Sequence, residues 1–577
     1  MIFVDPSGDD TGPGTVERPF ATLQRARDAA RPGTVVTLRA GTYRLTDTFL
    51  LTAAHSGVVY QAQSYGTPDQ EEVVISGGRE ITDWTASDDG TRQGTHHGTH
   101  HGGIHRAETP GPAPRQLYAH GHRVERAALP LDGHALVRTA DGYTTKGAGP
   151  QLWLGDVEFV YRGAYPWSEG RCRVAAVSGD ADTTTITMAA PAFEQATRLY
   201  HSILTWEGPG AGESYGVDSP TSAENSPAFL TEGTFATVGT VLHYRPRGAE
   251  PPAGVVAPVL ETLLHAQGVH NITFRGITFA DATWLRPSTP QGFLHYHGNG
   301  YYDGGGMETV TFAEGQGQVT VPGDNASMPG NLIFEDTSRV TLESCRFVRL
   351  GAVAVEFRGK GADNTVRDSE ITEVAGGGLV IGEGARDHHV ENNHIHHIGL
   401  DYRGSPAILV TGTRDTVIAH NQVNDVPHAG IVVYEGRGTQ VVNNLVHDTM
   451  RVLADGGGIY VSGPQGDSHA NGALIRGNVV RDTITPYNFG LYTDYGAAYV
   501  TVEANVVHRA DAPVVLTVWP PLEHVVFLGN VWDADPGEAP DGVVLKDNTT
   551  LPAASFATDP RAVAITEAAG RRPPRPR

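Results

Sequence analysis

Val390-Glu-Asn-Asn393-His-Ile395, Ile418-Ala-His-Asn421-Gln-Val423 and Val441-Val-Asn-Asn444-Leu-Val446 share one pattern. Each has a β-branched residue, two further residues, an asparagine, one residue, and Val or Ile. The pattern returns at Ile475-Arg-Gly-Asn478-Val-Val480 and Val502-Glu-Ala-Asn505-Val-Val507, and more loosely at Phe527-Leu-Gly-Asn530-Val. Successive asparagines stand 28, 23, 34, 27 and 25 residues apart. Periods in this range mark stacked units, none of which can bury an apolar face alone.

Working back toward the N-terminus, Cys345, Ser369 and Asn393 continue the series at spacings of 24. Ile272-Thr-Phe-Arg-Gly-Ile277-Thr-Phe279 is an earlier rung. About 24 residues per turn fits three short strands and their corners in a right-handed parallel β-helix. A leucine-rich repeat of similar period needs a Leu/Asn consensus and helices, and the sequence has neither. Stacked asparagine amides can hydrogen-bond along their column. The residue two beyond (Phe347, Ile371, Ile395, Val423, Val446, Val480, Val507) is always apolar and is expected in the core.

The fold class expected is all-β: a right-handed parallel β-helix with an N-terminal capping helix and an inserted antiparallel β-sandwich. Residues 20–30 are good helix formers stopped by Pro32-Gly33, suited to plug the open end of a parallel stack. From about 113 to 250 the repeat vanishes, and short strand-like runs lie between Gly, Pro and Asp. The organisation expected is a cap and first turns over 1–112, the sandwich over 113–255, the main β-helix over 256–550 and a tail over 551–577, disordered after about 566. A long insertion at 284–332, rich in aromatic residues and with a hairpin at 309–321, interrupts the main helix. Insertions of this length on a regular scaffold are usually functional or disordered.

Composition narrows the function. The net charge of −23 argues against nucleic acid, whose binders need basic stripes, and more weakly against a polyuronate. Two cysteines, Cys172 and Cys345, are too few for a disulfide scaffold and are expected as buried thiols. No stretch approaches a membrane span and the start has no signal-peptide pattern, so the expectation is a cytoplasmic chain, or a secreted one whose export signal has been removed. No membrane partner is expected, and the oligomeric state is open.

A second column of repeats carries the chemistry: Gly378-Leu-Val-Ile, Ala407-Ile-Leu-Val, Gly430-Ile-Val-Val, Gly458-Ile-Tyr-Val and Gly490-Leu-Tyr-Thr. Two rungs depart from it, one preceded by Asp455-Gly-Gly-Gly and one continuing into Tyr492-Thr-Asp494-Tyr495-Gly. Two carboxylates flanked by Tyr460, Tyr492 and Tyr495 are what glycosidic bond cleavage needs: a proton donor for the leaving oxygen, and a nucleophile or base. The plainer reading makes Asp455 a turn cap and Asp494 a solvated corner residue. On a flat strand face Asp455 and Asp494 stand seven positions apart, about 23 Å, so their pairing requires a corner that folds Asp455 back. Glu435, after Tyr434 two rungs earlier, is the alternative partner, about 10 Å from Asp494 by strand spacing.

His428 enters the column one rung above Asp455 and is a further substrate-binding candidate. Trp284 and Tyr302 of the insertion are candidates to roof the groove, with a structural role as the alternative. His394, His396 and His397 fall at a corner and read chiefly as turn donors, with metal binding the lesser reading. The tract with His96, His97, His100 and His101 reads as a Gly/Thr-rich loop rather than a metal site. No metal or cofactor is expected, structural calcium apart.

The opening Phe3-Val-Asp-Pro-Ser-Gly, Arg18-Pro-Phe-Ala-Thr-Leu, Ile75-Ser-Gly-Gly, Gln116-Leu-Tyr, Glu224-Asn, Asp455-Gly-Gly-Gly-Ile-Tyr and Tyr492-Thr-Asp494-Tyr-Gly together resemble glycoside hydrolase family 141 over about 1–540. The resemblance implies a β-helix glycosidase of fucosidase or xylanase type, with Asp455 and Asp494 as its catalytic pair and an oligosaccharide or polysaccharide as its substrate. The chain is more distantly similar to family 120 β-xylosidases, but their acid/base Glu would fall near Val515, in a segment without a carboxylate. Two alternatives stay open: a polysaccharide lyase on the same scaffold, and a non-catalytic carbohydrate-binding solenoid.

Overall fold

The computed structural model describes residues 1–87, 103–131, 135–200, 202–204, 214–215, 218, 220–248, 251–311 and 317–573. The chain forms two compact units: Met1–Ser76 with Thr262–Ala280 and Met328–Arg577, and Gly77–Glu261 with Asp281–Ser327. The tract holding His96, His97, His100 and His101 lies outside the described residues.

The first unit is a right-handed parallel β-helix with three ladders of parallel strands. Ladder one runs from Phe49–Thr52 through Leu264–Gln267, Gly330–Glu335 and Val353–Arg358 to Ile431–Arg437, Gly456–Pro464 and the start of Asn488–Glu503. Ladder two includes His389–Glu391, Val417–Ala419 and Gln440–Val442. Ladder three has 12 strands among the described residues, His394–His396 and Gln422–Asn424 among them. A single turn thus reads Leu379–Ile381, His389–Glu391, His394–His396, one strand in each ladder.

The asparagine column sits at the corner between ladders two and three. Asn444 donates its backbone N–H and its Nδ2 to Asn478 Oδ1 (2.8 and 3.0 Å) and its Nδ2 to the Ile418 carbonyl (2.9 Å). Its own Oδ1 accepts from Asn421 in the same way. The chain of amides runs from Asn393 to Asn530 and on to Asn548, one rung beyond the repeat as read from sequence. Buried backbone donors that would otherwise be orphaned at a sharp corner are thereby satisfied. The residue just before each rung adopts a left-handed conformation: Asp368, Asn392, His420, Asn443, Ala504 and Asp547 have φ between 52 and 59°. This one residue makes the bend, and the next turns its amide inward. The apolar residues two beyond Asn393, Asn421, Asn444, Asn478 and Asn505 are fully buried. Aromatic rings stack along the axis, with Phe279 and Phe347 centroids 5.6 Å apart.

At the N-terminus, helix Leu23–Ala29 is capped by Thr22 Oγ1, which accepts from the Arg25 N–H, and it buries Leu23 and Ala26. The C-terminal region departs from the expected tail. Asp559 caps helix Pro560–Ala568, and Phe556 and Ala562 cover Val479, Val506 and Val531. The chain then continues ordered to at least Arg572, whose backbone exchanges hydrogen bonds with the Asn392 amide. The Pro- and Arg-rich composition concealed an apolar face of four residues, Phe556, Ala562, Ile565 and Ala569.

The second unit has two eight-stranded sheets, largely antiparallel, and it starts well before residue 113 with strand Gly78–Ile81. Segment 281–327 belongs to it, because Phe293–Leu294 pairs with Glu169–Gly179. The hairpin expected at 309–321 is formed by Met307–Thr311 and Gly317–Pro322. Arg115 grips Glu158 through two hydrogen bonds of 2.8 and 2.9 Å, and Arg171 and Arg126 add to the same carboxylate. Burial pushes the Glu158 carboxyl up, but the three guanidinium groups outweigh it and hold the group well below the usual range. Among the described residues both cysteines are free and buried.

Candidate functional site

Strands Gly456–Pro464 and Asn488–Glu503 run side by side in ladder one, with Tyr460 opposite Tyr492 and Ser462 opposite Asp494. Side chains alternate across a strand, so Tyr492 and Asp494 leave the same face. The preceding strand, Ile431–Arg437, brings Val432 beside Tyr460 and Tyr434 beside Ser462. Tyr434, Tyr460 and Tyr492 consequently form a row, with ring centroids 5.9 and 5.0 Å apart and near-perpendicular planes. Phe489 extends it, 4.6 Å from Tyr492.

Asp455 stands just before its strand in a left-handed conformation (φ 57°), with its N–H bonded to the Tyr487 carbonyl of the next turn at 3.1 Å. This is the corner that the seven-position offset demands. From it the Asp455 carboxylate meets the Tyr492 hydroxyl, 3.0 Å from Oδ1. All three following glycines are needed by close neighbours, Gly458 by Val480 Cγ1, 2.4 Å from where its Cβ would lie. A Cβ at Gly457 would lie 3.0 Å from Tyr492 Cβ, and one at Gly456 would lie 2.9 Å from His428 Nε2 and 2.5 Å from Met450 Cε.

The Tyr460 hydroxyl donates to Asp494 Oδ2 at 2.7 Å, the Tyr495 N–H and the Tyr492 hydroxyl lie nearby, and both carboxyls are half-buried. Burial and then the charge of Asp494 push Asp455 up to about 7, against the Tyr492 hydrogen bond. Burial also raises Asp494, opposed by its hydrogen bonds to Tyr460, Tyr495 and Tyr492. Both phenols are raised far above their ordinary value by burial and the adjacent carboxylates, which keeps them protonated donors. Tyr492 donates its one hydroxyl hydrogen to Asp455 Oδ1 and Tyr460 donates to Asp494 Oδ2, so each carboxyl has its own phenol. The arrangement can hold one neutral acid beside one carboxylate.

The structure therefore brings Asp455, Asp494, Tyr460 and Tyr492 together. His428 is buried beside Gly456, with Nε2 3.3 Å from the Ala454 carbonyl. Tyr495 turns its ring to solvent at 54 % exposure. Glu435 is exposed, in a left-handed conformation, with its stem against Gly463 rather than aimed along the strand row. Trp284 and Tyr302 belong to the second unit and offer no open ring face. Trp284 packs against Phe293 and Tyr301, and Tyr302 lies in the apolar core with its hydroxyl on the Gly305 carbonyl. Aromatic content alone did not distinguish a platform from a core. Trp519 escaped the sequence reading: it is 45 % exposed, and the carbonyl of the following Pro520 accepts the Gly496 N–H, two residues from Asp494. Its Trp-Pro-Pro setting outside the regular repeat was the available signal. Among the described residues, a metal-ligating group comes together in Glu370, His394 and His396, on ladder three.

The family model for a right-handed β-helix region matches residues 325–475. An uncharacterized protein, YwoF, of Bacillus subtilis (strain 168) is 41% identical over 76 residues, 13% of this chain and 15% of that protein. Pectate lyase PEL9 of Emericella nidulans is 34% identical over 77 residues, 13% of this chain and 18% of its own. The chain thus spans less than a fifth of the length of either curated relative in these matches. A solved glycoside hydrolase aligns over 99% of this chain and 98% of its own at 21% identity, with a TM-score of 0.74. That likeness is one of fold.

Proposed function

We propose that this protein is a glycoside hydrolase of family 141 type, cleaving a neutral-sugar bond of the fucoside or xyloside/xylan class. The observation that carries the reading is the Asp455–Tyr492–Asp494–Tyr460 constellation, two half-buried carboxyls on adjacent turns, each bonded to one of two packed phenols. Asp455, raised to about 7, is the general acid that protonates the leaving oxygen. Asp494 attacks the anomeric carbon, its carboxylate held by the Tyr460 hydroxyl. A nucleophilic Asp494 makes the reaction retaining, which calls for a carboxyl separation of ~5–5.5 Å rather than the ~6.5–9.5 Å of an inverting enzyme. Trp519 and Tyr495 supply exposed rings near Asp494 for sugar stacking.

A screen of aryl fucosides, xylosides, arabinosides and galactosides tests the reading. The wild type should release phenol from at least one, and Asp494→Asn should lower that rate by about 10³-fold or more with an unchanged circular dichroism spectrum. Near-normal turnover by the mutant would remove Asp494 from the mechanism. The anomer first released, read by proton NMR, should match that of the substrate.

The match to a pectate lyase supports a second reading, uronate elimination. That chemistry needs a cation to neutralise the uronate, and no Lys or Arg is among the groups that shift Asp455 or Asp494. An unsaturated, ultraviolet-absorbing product from polygalacturonate would establish it in place of hydrolysis.

A further inference from the structure

Ladder three carries a second cluster of titratable side chains. His394 and His396 alternate on strand His394–His396, so both leave one face, and Glu370 lies opposite His394 one turn earlier. The two rings stack with centroids 4.0 Å apart. One ligand atom from each of the three residues lies within 4.8 Å of the others, and all three are half-buried, open to an ion from solvent. His396 Nε2 is 3.2 Å from Glu370 Oε1, close to the ~3.3 Å that separates two ligands held 2.0–2.1 Å from a tetrahedral zinc.

The surroundings set the tautomers. Asn424 Nδ2 donates to Asp425 Oδ2 at 2.7 Å, which turns Asn424 Oδ1 toward His394 Nε2, 2.9 Å away. An amide oxygen only accepts, so His394 Nε2 carries the hydrogen and Nδ1 keeps its lone pair. His396 Nδ1 lies 2.7 Å from His397 Nδ1 and 3.3 Å from Thr372 Oγ1, partners that can take its hydrogen and leave Nε2 to face Glu370. Arg346 occupies Glu370 Oε2 at 2.7 Å, leaving Oε1 directed at His396. The His396–Glu370 contact is an ordinary hydrogen bond when Nε2 carries the hydrogen, and a metal ion can take that place when Nδ1 carries it instead. Outer hydrogen bonds that orient histidine and carboxylate ligands are the usual second layer of a metal centre.

We propose that Glu370, His394 and His396 bind one divalent transition-metal ion, preferentially Zn²⁺, with water completing its coordination. Two imidazoles and a carboxylate suit zinc, and exclude the all-oxygen preference of calcium or magnesium. The ion replaces the proton shared by His396 and Glu370, and joins two successive turns of the solenoid.

The test titrates ZnCl₂ into the full chain at pH 7.5 against a chromophoric chelator, with a thermal melt in parallel. Wild type should retain one ion per chain and melt higher with zinc. His394→Ala with His396→Ala should lose that ion, and Glu370→Gln should weaken it at least tenfold. A variant with His96, His97, His100 and His101 all replaced by alanine should keep it. If the double variant fails to fold, His396→Gln alone is scored the same way. No retained ion in wild type, or undiminished retention in the ladder-three variants, overturns the proposal.

Discussion

Asp455 behaves as the titrating switch of the site, and its environment fixes the direction of two pH effects. As the proposed proton donor, raised to about 7 by burial first and the Asp494 charge second, it should give the proposed hydrolysis an alkaline limb near pH 7. Tyr492→Phe removes the hydrogen bond that opposes this rise, so the limb should move to higher pH, read from kcat/KM against pH. For stability, the folded Asp455 holds a proton that an unfolded aspartate has released between about pH 4 and 7. Its contribution is present below that window and lost as pH rises through about 7. Asp455→Asn should therefore melt no lower than wild type at pH 8, while losing activity. A mutant that melts clearly lower would show that the carboxylate is held by a favourable charge after all. The pair itself was legible as two departures from a repeat. The fold-back of Asp455 was not, because a left-handed aspartate before three glycines leaves no trace in periodicity. Equally invisible was the hydrogen bond from Tyr492 to Asp455, which depends on side-chain reach between two turns.

At the scale of elements, the asparagine corner is the strongest local determinant. Asn444→Ala removes the oxygen that accepts from both the backbone and the amide of Asn421, stranding buried donors. The expected cost is roughly 1–3 kcal/mol per orphaned group, measured by urea denaturation, with Asn548→Ala nearer the lower figure because its contacts are part-buried. Truncation before Phe556 uncovers Val479, Val506 and Val531 on ladder three. It should lower the melting temperature and promote aggregation, seen by light scattering, whereas a disordered tail could be removed without effect. The column was readable because one residue type recurs where one geometry recurs. The C-terminal helix was missed since its apolar face is short and its flank resembles a solvated tail. The Asn548 rung was missed because its spacing of 18 falls below the others.

At the scale of the molecule, two units with different logic share one chain. In the second, Glu158 is buried among Arg115, Arg126 and Arg171, and Glu158→Gln leaves those cations without their shared anion. The loss should be about 3–5 kcal/mol, observed by calorimetry as a lowered transition. Since the Glu158 carboxyl is held low, its contribution is present above about pH 4.5 and fades as pH falls through the folded value. Composition gave no hint of this network: its members, Arg115, Arg126, Glu158 and Arg171, are scattered in sequence and meet only in the folded unit. The solenoid's corners point to something of another kind. Between ladders two and three the described bends are one left-handed residue followed by one inward-facing residue, so that corner keeps a fixed length. Between ladders three and one, Thr449 and Gly456 or His396 and Ile408 bound connections of quite different size. Insertions and deletions accepted over evolutionary time must therefore collect at the second kind of corner, the kind that carries Asp455. The frame is closed to indels on one edge and open on another. Novelty in this protein's specificity is thus expected to arise by length variation at the edge where Asp455 resides.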